Sequence, residues 1–244
     1  VERVKTDVLR LASHELRTPL TVLNGYLSLV EAGFYGDIPE PLAEVVAILR
    51  RRTAEMNSLV NDMLVASRVE DVPPVDEGEP VDLGEVLGAA VRDVAPRASA
   101  HHHLRLEVPE RPVVVRVDRD RVALALRNVI DNAIKYSPAG GEVVCTLVDE
   151  REGARIRVRD HGLGIAAADR DKLFTRFGRV LTPDNSHIPG IGLGLYYSRE
   201  VARRHGGDVR LVDGEGEGCT FEMTIPTIDD PAVRPVAAPG PSAS

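Results

Sequence analysis

Ser13-His14-Glu15-Leu16-Arg17-Thr18-Pro19-Leu20, running on as Thr21-Val22-Leu23-Asn24-Gly25-Tyr26-Leu27-Ser28-Leu29-Val30, is the stretch from which the rest of the chain can be read. Apolar residues in it and just before it fall at Leu9, Ala12, Leu16, Leu20, Leu23, Leu27 and Val30, spaced as the stripe of an amphipathic helix. At about 100° per residue, Leu16 lies roughly 200° round from His14, with Leu20, Leu23 and Leu27 near the same angle. The spacing predicts an imidazole pointing away from the stripe, with Thr18 one turn on along its face and Glu15 a quarter-turn aside. Pro19 has no N–H for the carbonyl of Glu15 and its ring crowds that turn, so a bend just past His14 is expected.

A second helical pattern follows the connection Ala32-Gly33-Phe34-Tyr35-Gly36. Asp37 and Glu40 have capping-box spacing, and Pro39 and Pro41 fit only a first turn. Leu42, Val46, Leu49, Thr53, Met56, Val60 and Met63 then repeat in four–three steps to about Arg68. Two long helices joined by a short loop form an antiparallel hairpin, here assigned to residues 1–70. Two stripes cover each other only partly. Pairing with a second copy into a four-helix bundle would close the core; docking of the stripe on the rest of its own chain is the alternative.

Residues 71–80, with Pro73-Pro74 and Glu77-Gly78-Glu79, are acidic and rich in breakers and read as a linker. A second unit, 81–226, reads as helix over Leu83 to about Ala98, strands at Leu104–Val108 and Val113–Val117, and a helix capped by Asp118 running to Tyr136. Strands at Glu142–Val148 and Ala154–Arg159 follow, then a long loop with one helical turn near Leu173, a helix over Leu193–His205 and a final hairpin. Residues 227–244 have the composition of a disordered tail.

The 244 residues carry a net charge of -8, and the chain has no basic run. Arg50-Arg51-Arg52 falls in a helical pattern and reads as a solvated face, so a nucleic-acid partner is not expected. Cys145 and Cys219 make neither a disulfide framework nor a metal-ligand spacing, which suggests a reducing, cytoplasmic setting. There is no apolar run of about 18 residues and no signal-peptide pattern. The chain opens on Val1 almost at once in a helical pattern, which reads as a fragment whose upstream sensor domain is missing; membrane attachment of the intact protein is left open.

Three stretches carry nucleotide chemistry. Asn128, Asn132 and Lys135 share one face of the helix ending at Tyr136, while Val122, Leu126, Val129 and Ala133 share the other. A neutral amide oxygen can coordinate Mg²⁺ without adding charge against a triphosphate, and a Lys beside it can meet a phosphate oxygen. Asp160-His161-Gly162-Leu163-Gly164-Ile165 directly follows a strand, where the carboxylate can accept the adenine amino hydrogen and the glycines allow close backbone approach. Gly190, Gly192 and Gly194 alternate before a helix N-terminus, an anion site of backbone N–H groups. They do not follow a strand, which argues against a Rossmann fingerprint.

Ser13–Leu20 resembles the H-box of sensor histidine kinases of two-component systems, in which the matching His accepts phosphate. Arg127–Tyr136 resembles that family's N-box, and the resemblance implies that Asn132 holds the metal while Asn128, Lys135 and Tyr136 line the nucleotide. Asp160–Ile165 and Pro189–Leu195 are similar to its two Gly boxes. Leu173-Phe174-Thr175-Arg176-Phe177-Gly178-Arg179 is similar to its F-box, with two aromatics anchoring a lid over ATP and Arg179 reaching the terminal phosphate. The four boxes follow the H-box in order, and the resemblance spans about Val4 to Pro226.

The fold so implied is an α-helical hairpin, a four-helix bundle as a dimer, followed by an α/β two-layer sandwich of the Bergerat ATP-binding type. The implied activity uses ATP and Mg²⁺. His14 attacks the γ-phosphorus, Glu15 takes the ring proton or fixes the tautomer, and the phosphoryl group passes to an aspartate of a response regulator. Thr18 matches a polar residue that orients water for dephosphorylating that regulator. Gyrase and heat-shock chaperone relatives have a water-activating Glu where this chain has Asn128; an amide cannot act as a base, so the site looks built to hold ATP for His14. His161 within the Gly box and a short lid with Pro183 and Pro189 are departures. A kinase-dead dimeric nucleotide-binding scaffold would share most of these features. An anti-sigma or protein-serine kinase would need no H-box hairpin. His101-His102-His103 could bind stray metal, His187 and His205 read as surface residues, and nothing in the pattern gives Arg17 a role.

Overall fold

The computed structural model describes residues 2–68, 78–150, 153–180, 182, 183, 185, 186, 188, 190, 192–213 and 218–228, without the side chains of 2–14, 55, 58, 59, 61–68 and 213. The expected orientation of the His14 imidazole, most of the linker, His187, Pro189 and the tail from 229 onward therefore lie outside the described residues. The chain divides into two compact units, Val1–Asp71 with Lys172–Tyr197, and Val72–Asp171 with Ser198–Ser244.

In the first unit, α1 (Glu2–Glu31) and α2 (Glu40–Arg68) pack as a helical hairpin. His14 lies on α1, which continues through Pro19. Thr21 Oγ1 donates to the carbonyl of Arg17 beside that proline, at 2.9 Å. The connection turns through Gly33 and Gly36, both at positive φ, where a side chain would be strained. The first backbone bonds of α2 run from Leu42 and Ala43 N–H to the Pro39 carbonyl, so α2 is capped at Pro39, two residues beyond the expected Asp37. Leu20, Leu27, Thr53 and Val60 are buried, whereas the stripe residues Leu16, Leu23, Leu42, Leu49 and Met56 are 40–52% exposed. Thr53 satisfies its hydroxyl by donating to the Leu49 carbonyl (2.8 Å).

The second unit is built on a five-stranded mixed sheet. In chain order its elements are β1 (Glu79–Asp82), α3 (Leu83–Val94), β2 (His102–Glu107), β3 (Val114–Val117), α4 (Arg119–Lys135), β4 (Gly141–Glu150), β5 (Gly153–Arg159), the helix α5 (Gly194–Arg204) from Ser198 onward, β6 (Asp208–Asp213) and β7 (Thr220–Ile225). The strand order is β2-β4-β5-β7-β6, with β2 parallel to β4 and the other pairs antiparallel. β1 pairs with β3 apart from it, so Glu79 and Pro80 are strand and not linker. Thr227 bridges Val115, and Ile228 N–H donates to the Val114 carbonyl, so the first two residues of the expected tail are held on β3.

Alternation places the core. Val143, Cys145 and Leu147 of β4, with Ala154, Ile156 and Val158 of β5, are buried on the face that meets α3 and α4. The helices answer with Leu83, Val86, Leu87 and Ala90, and with Val122, Leu126, Val129 and Ile130. Each such side chain contributes about 1.5–3 kcal/mol by leaving water. Burial pushes the Cys145 thiol up to about 12, and Cys145 and Cys219 are both unpaired. On the opposite face Glu222 is fully buried under Arg155, Arg157 and Arg210, which bond its two oxygens at 2.6–3.2 Å.

Candidate functional site

α4 organises the site. Asp118 caps it, its carboxylate accepting from Arg121 N–H (3.0 Å) and Arg121 Nε (2.8 Å). The apolar face of α4 is consumed by the core, so Asn128, Asn132, Lys135 and Tyr136 are left half-buried on the other side. Asn128 Nδ2 is buried without a hydrogen-bond partner among the described residues. Such an orphan costs about 1–3 kcal/mol, so it marks a place where an external acceptor is wanted.

Lys135 behaves differently. Its Nζ pairs with Asp131 at 2.8 Å, and Arg97 Nη1 reaches the other Asp131 oxygen at 2.8 Å. Burial alone would raise the Asp131 carboxyl, but Lys135 and Arg97 outweigh it and hold it below its ordinary value. Asp131 is a residue that the sequence reading missed. Its i, i+4 spacing to Lys135 was the available signal.

At the C-terminal end of α4 the chain meets the loop after β5. Leu163 N–H donates to the Tyr136 carbonyl (3.0 Å), and a Cβ on Gly162 would lie 2.2 Å from that same oxygen. Only glycine fits there. Gly164 continues the loop at φ 68°. Asp160 is buried, and its Oδ1 accepts from Gly162 N–H (2.9 Å) and Cys219 N–H (3.0 Å). Its other oxygen receives no hydrogen bond among the described residues. Burial holds the Asp160 carboxyl above its ordinary value, and the two N–H groups offset part of that rise. His161 lies exposed, with Nδ1 2.9 Å from the Glu142 carbonyl.

Arg179, Gly190, Gly192 and Gly194 belong to the segment Lys172–Tyr197. The expected helical turn near Leu173 is a 3-10 turn over Ala167–Lys172, just before it. Within the segment Arg179 Nη2 donates to the Ile188 carbonyl (2.7 Å), and Gly192, at φ 74°, would place a Cβ 2.5 Å from the Gly178 carbonyl. Phe177 takes φ 62° and is exposed. Asn185 was missed from sequence. It is buried and organises the loop, accepting from Thr182 N–H and donating to the Val180 carbonyl, each at 2.9 Å.

Two histidines depart from their expected roles. His205 is not on the surface: it is 3% exposed, with Nδ1 2.7 Å from the Val201 carbonyl and Nε2 accepting from Asp118 N–H. His102 bridges Ser99 N–H to the Ser137 carbonyl. Among the described residues no group of three or more His, Cys, Asp or Glu side chains is placed to hold a metal ion.

The family model for the His Kinase A (phospho-acceptor) domain matches residues 4–72, and that for the histidine kinase-, DNA gyrase B- and HSP90-like ATPase matches residues 117–229. Among solved structures, a mycobacterial sensor histidine kinase, MprB, is 32% identical with a TM-score of 0.53, covering 62% of this chain and 97% of that one. The chain belongs to the sensor histidine kinase family. Full-length ShkA in complex with AMPPNP is 29% identical with a TM-score of 0.64, over 91% of this chain and 46% of that one. The sensor histidine kinase WalK of Bacillus subtilis (strain 168) is 31% identical over 93% of this chain, and the WalK of Staphylococcus aureus is 32% identical over 93%. This sensor kinase chain spans 37% and 54% of the lengths of those two relatives. The helical hairpin followed by a mixed α/β ATPase domain is the fold expected from the boxes. No helix among the described residues is long and apolar enough to cross a membrane.

Proposed function

We propose that this chain is the catalytic core of an autophosphorylating histidine kinase, transferring the γ-phosphoryl group of ATP to His14 and then to an aspartate of a response-regulator receiver domain. One observation carries this reading: a phospho-acceptor hairpin with His14 on α1 and an ATPase domain with Asn128 and Asn132 on α4 occur in one chain.

The residues present fit the nucleotide. The second oxygen of Asp160 takes the adenine amino hydrogen while the first stays on the backbone of Gly162 and Cys219. Tyr136 and the backbone of Gly162 and Gly164 border the base. Asn128 Nδ2, without a partner among the described residues, donates to phosphate, and Asn132 would hold Mg²⁺, which when bound offsets the charge on the phosphate oxygens. Lys135 reaches phosphate only by sharing or leaving Asp131. Gly190, Gly192, Gly194 and Arg179 match family motif positions that serve the phosphates, and that role is carried over to them as part of the proposal. An amide at position 128 has no base to offer water, so the ATP is kept for an external nucleophile.

At the phospho-acceptor, Glu15 takes or orients the ring proton of His14 as the phosphorus is attacked in line. Thr18, one turn on, positions a water for dephosphorylation of the regulator. The exposed Leu16, Leu23, Leu42, Leu49 and Met56 are covered in a homodimer by the second hairpin. The input comes from a sensor domain outside this chain. Incubation with γ-labelled ATP tests the proposal: acid-labile, base-stable label must appear on the protein and vanish in His14→Ala. Persistence of that label in His14→Ala, or loss of ATP binding with it, overturns the assignment.

A further inference from the structure

The helix that begins at Gly194 is joined to α4 by two polar bonds, one buried and one half-buried, and sequence alone suggested neither. Ser198, fully buried, donates its hydroxyl to the Ala125 carbonyl at 2.9 Å. Seven residues later, His205 Nε2 accepts from the Asp118 N–H at 3.1 Å. Ala125 is likewise seven residues after Asp118. The two bonds therefore pair α5 and α4 in antiparallel register at matching two-turn intervals. Val201 and Ala202 of α5 are buried as well, but apolar packing is not directional and would by itself allow a slide by a turn. Two directional polar bonds oppose it, because a one-turn slip would break both the Asp118 N–H bond to His205 and the Ser198 bond to the Ala125 carbonyl.

The bonds fix the state of the ring. A backbone N–H can only donate, so His205 Nε2 carries no proton; Nδ1, 2.7 Å from the Val201 carbonyl, must carry one. Asp118 is also the residue whose side chain caps α4. One neutral imidazole thus holds the backbone of the α4 cap and terminates α5.

We propose that His205 is a positioning residue for nucleotide binding: with Ser198 it latches α5, the helix opened by the second glycine run, in register on α4, the helix carrying Asn128 and Asn132. This rests on the nucleotide site proposed above. The latch acts on ATP affinity by holding α4, which carries the proposed binding groups, and not on transfer to His14, because none of its atoms belongs to the phospho-accepting groups.

The test uses the whole chain and three variants. His205→Phe puts a somewhat larger apolar ring in the same place and leaves the Asp118 N–H without that acceptor; the Val201 carbonyl still accepts from the backbone N–H of residue 205. His205→Gln restores an acceptor at the position of Nε2. Ser198→Ala removes the other bond. Autophosphorylation kinetics in His205→Phe are expected to show KM for ATP raised about tenfold or more, with kcat within about threefold of wild type. His205→Gln should return most of that affinity, and Ser198→Ala should raise KM in the same sense. Binding of Mg-AMPPNP should follow KM, at a temperature where circular dichroism shows every variant folded. If His205→Phe does not fold, the Gln and Ala variants decide. Amide exchange at Asp118 in the nucleotide-free protein provides a readout independent of ATP: fast in Phe, slow in wild type and Gln. Wild-type KM in a folded His205→Phe, or equal loss in Phe and Gln, overturns the latch. Failure of the wild type itself to bind Mg-AMPPNP would instead overturn the nucleotide site.

Discussion

Asp160→Asn separates binding from folding. In the native protein Oδ1 is committed to Gly162 and Cys219 N–H, and the second oxygen receives no hydrogen bond among the described residues. An Asn at this position keeps its carbonyl on those two donors, since turning it would orphan both in a buried loop. Its NH₂ is then forced to where the adenine amino group arrives, and donor meets donor. Loss of a hydrogen bond to a charged acceptor is worth about 1.5–3 kcal/mol, which weakens ATP about 10- to 150-fold.

Stability should move the other way. Burial holds the Asp160 carboxyl above its ordinary value, so the native state keeps a proton over a pH window in which the unfolded chain has lost it. Stability contributed by this group falls as pH rises through that window, and at neutral pH its charge is a cost to the fold. The Asn variant should therefore unfold at the same temperature as wild type or higher. Calorimetric titration with ATP and with inosine triphosphate, which has a carbonyl in place of the amino group, makes the assay specific: wild type prefers ATP and the variant loses that preference. ATP affinity within about threefold of wild type would refute the contact. A lowered unfolding midpoint alongside weakened binding would show that Asp160 holds the loop and not the base.

Glu222 should carry a stability term with the opposite pH sign. Burial would raise it, but Arg157, Arg210 and Arg155 hold it below its ordinary value, so its contribution is present above the unfolded-state range and lost as pH falls through the folded value. Glu222→Gln is expected to cost about 1–3 kcal/mol at neutral pH, the half-exposed Arg157 and Arg210 recovering hydration, and to flatten the acid limb of a urea-unfolding series. Sedimentation of the whole chain should give a dimer that Leu23→Glu with Leu49→Glu converts to monomer, each leucine, 45% exposed in the hairpin, losing about half of the roughly 1.5–3 kcal/mol that full burial is worth; a wild-type monomer would refute the bundle. At the phospho-acceptor, Glu15→Gln should slow autophosphorylation about 100-fold or more, while Thr18→Ala keeps the kinase rate and loses most regulator dephosphorylation. Equal losses of both rates in Thr18→Ala would mean that the residue only supports the helix.

The hairpin was legible because a helical stripe is a local signal, and so were the alternation of Ala154–Arg159 and the Asp118 cap. β1 was not legible. Glu79 and Pro80 look like breakers, and their strand exists only because β3, more than thirty residues on, supplies partners. The parallel pairing of β2 with β4 is likewise non-local. The site divides along the same line. Asn128, Asn132 and the second oxygen of Asp160 keep bonding capacity that the described protein does not use, and these are residues that the motifs single out. Asp131, Ser198 and His205 spend theirs inside the fold, on groups four to 87 residues away in the chain. A motif records chemistry aimed at something outside the protein, because that chemistry restricts residue type whatever surrounds it. An inward bond restricts a pair, and either member alone looks like an ordinary polar residue. Lys135 stands between the two classes: its type and face match the motif, yet its ammonium is on Asp131. In the proposed nucleotide site its ammonium would have to be shared between Asp131 and phosphate, which the sequence, naming only one of the partners, could not express.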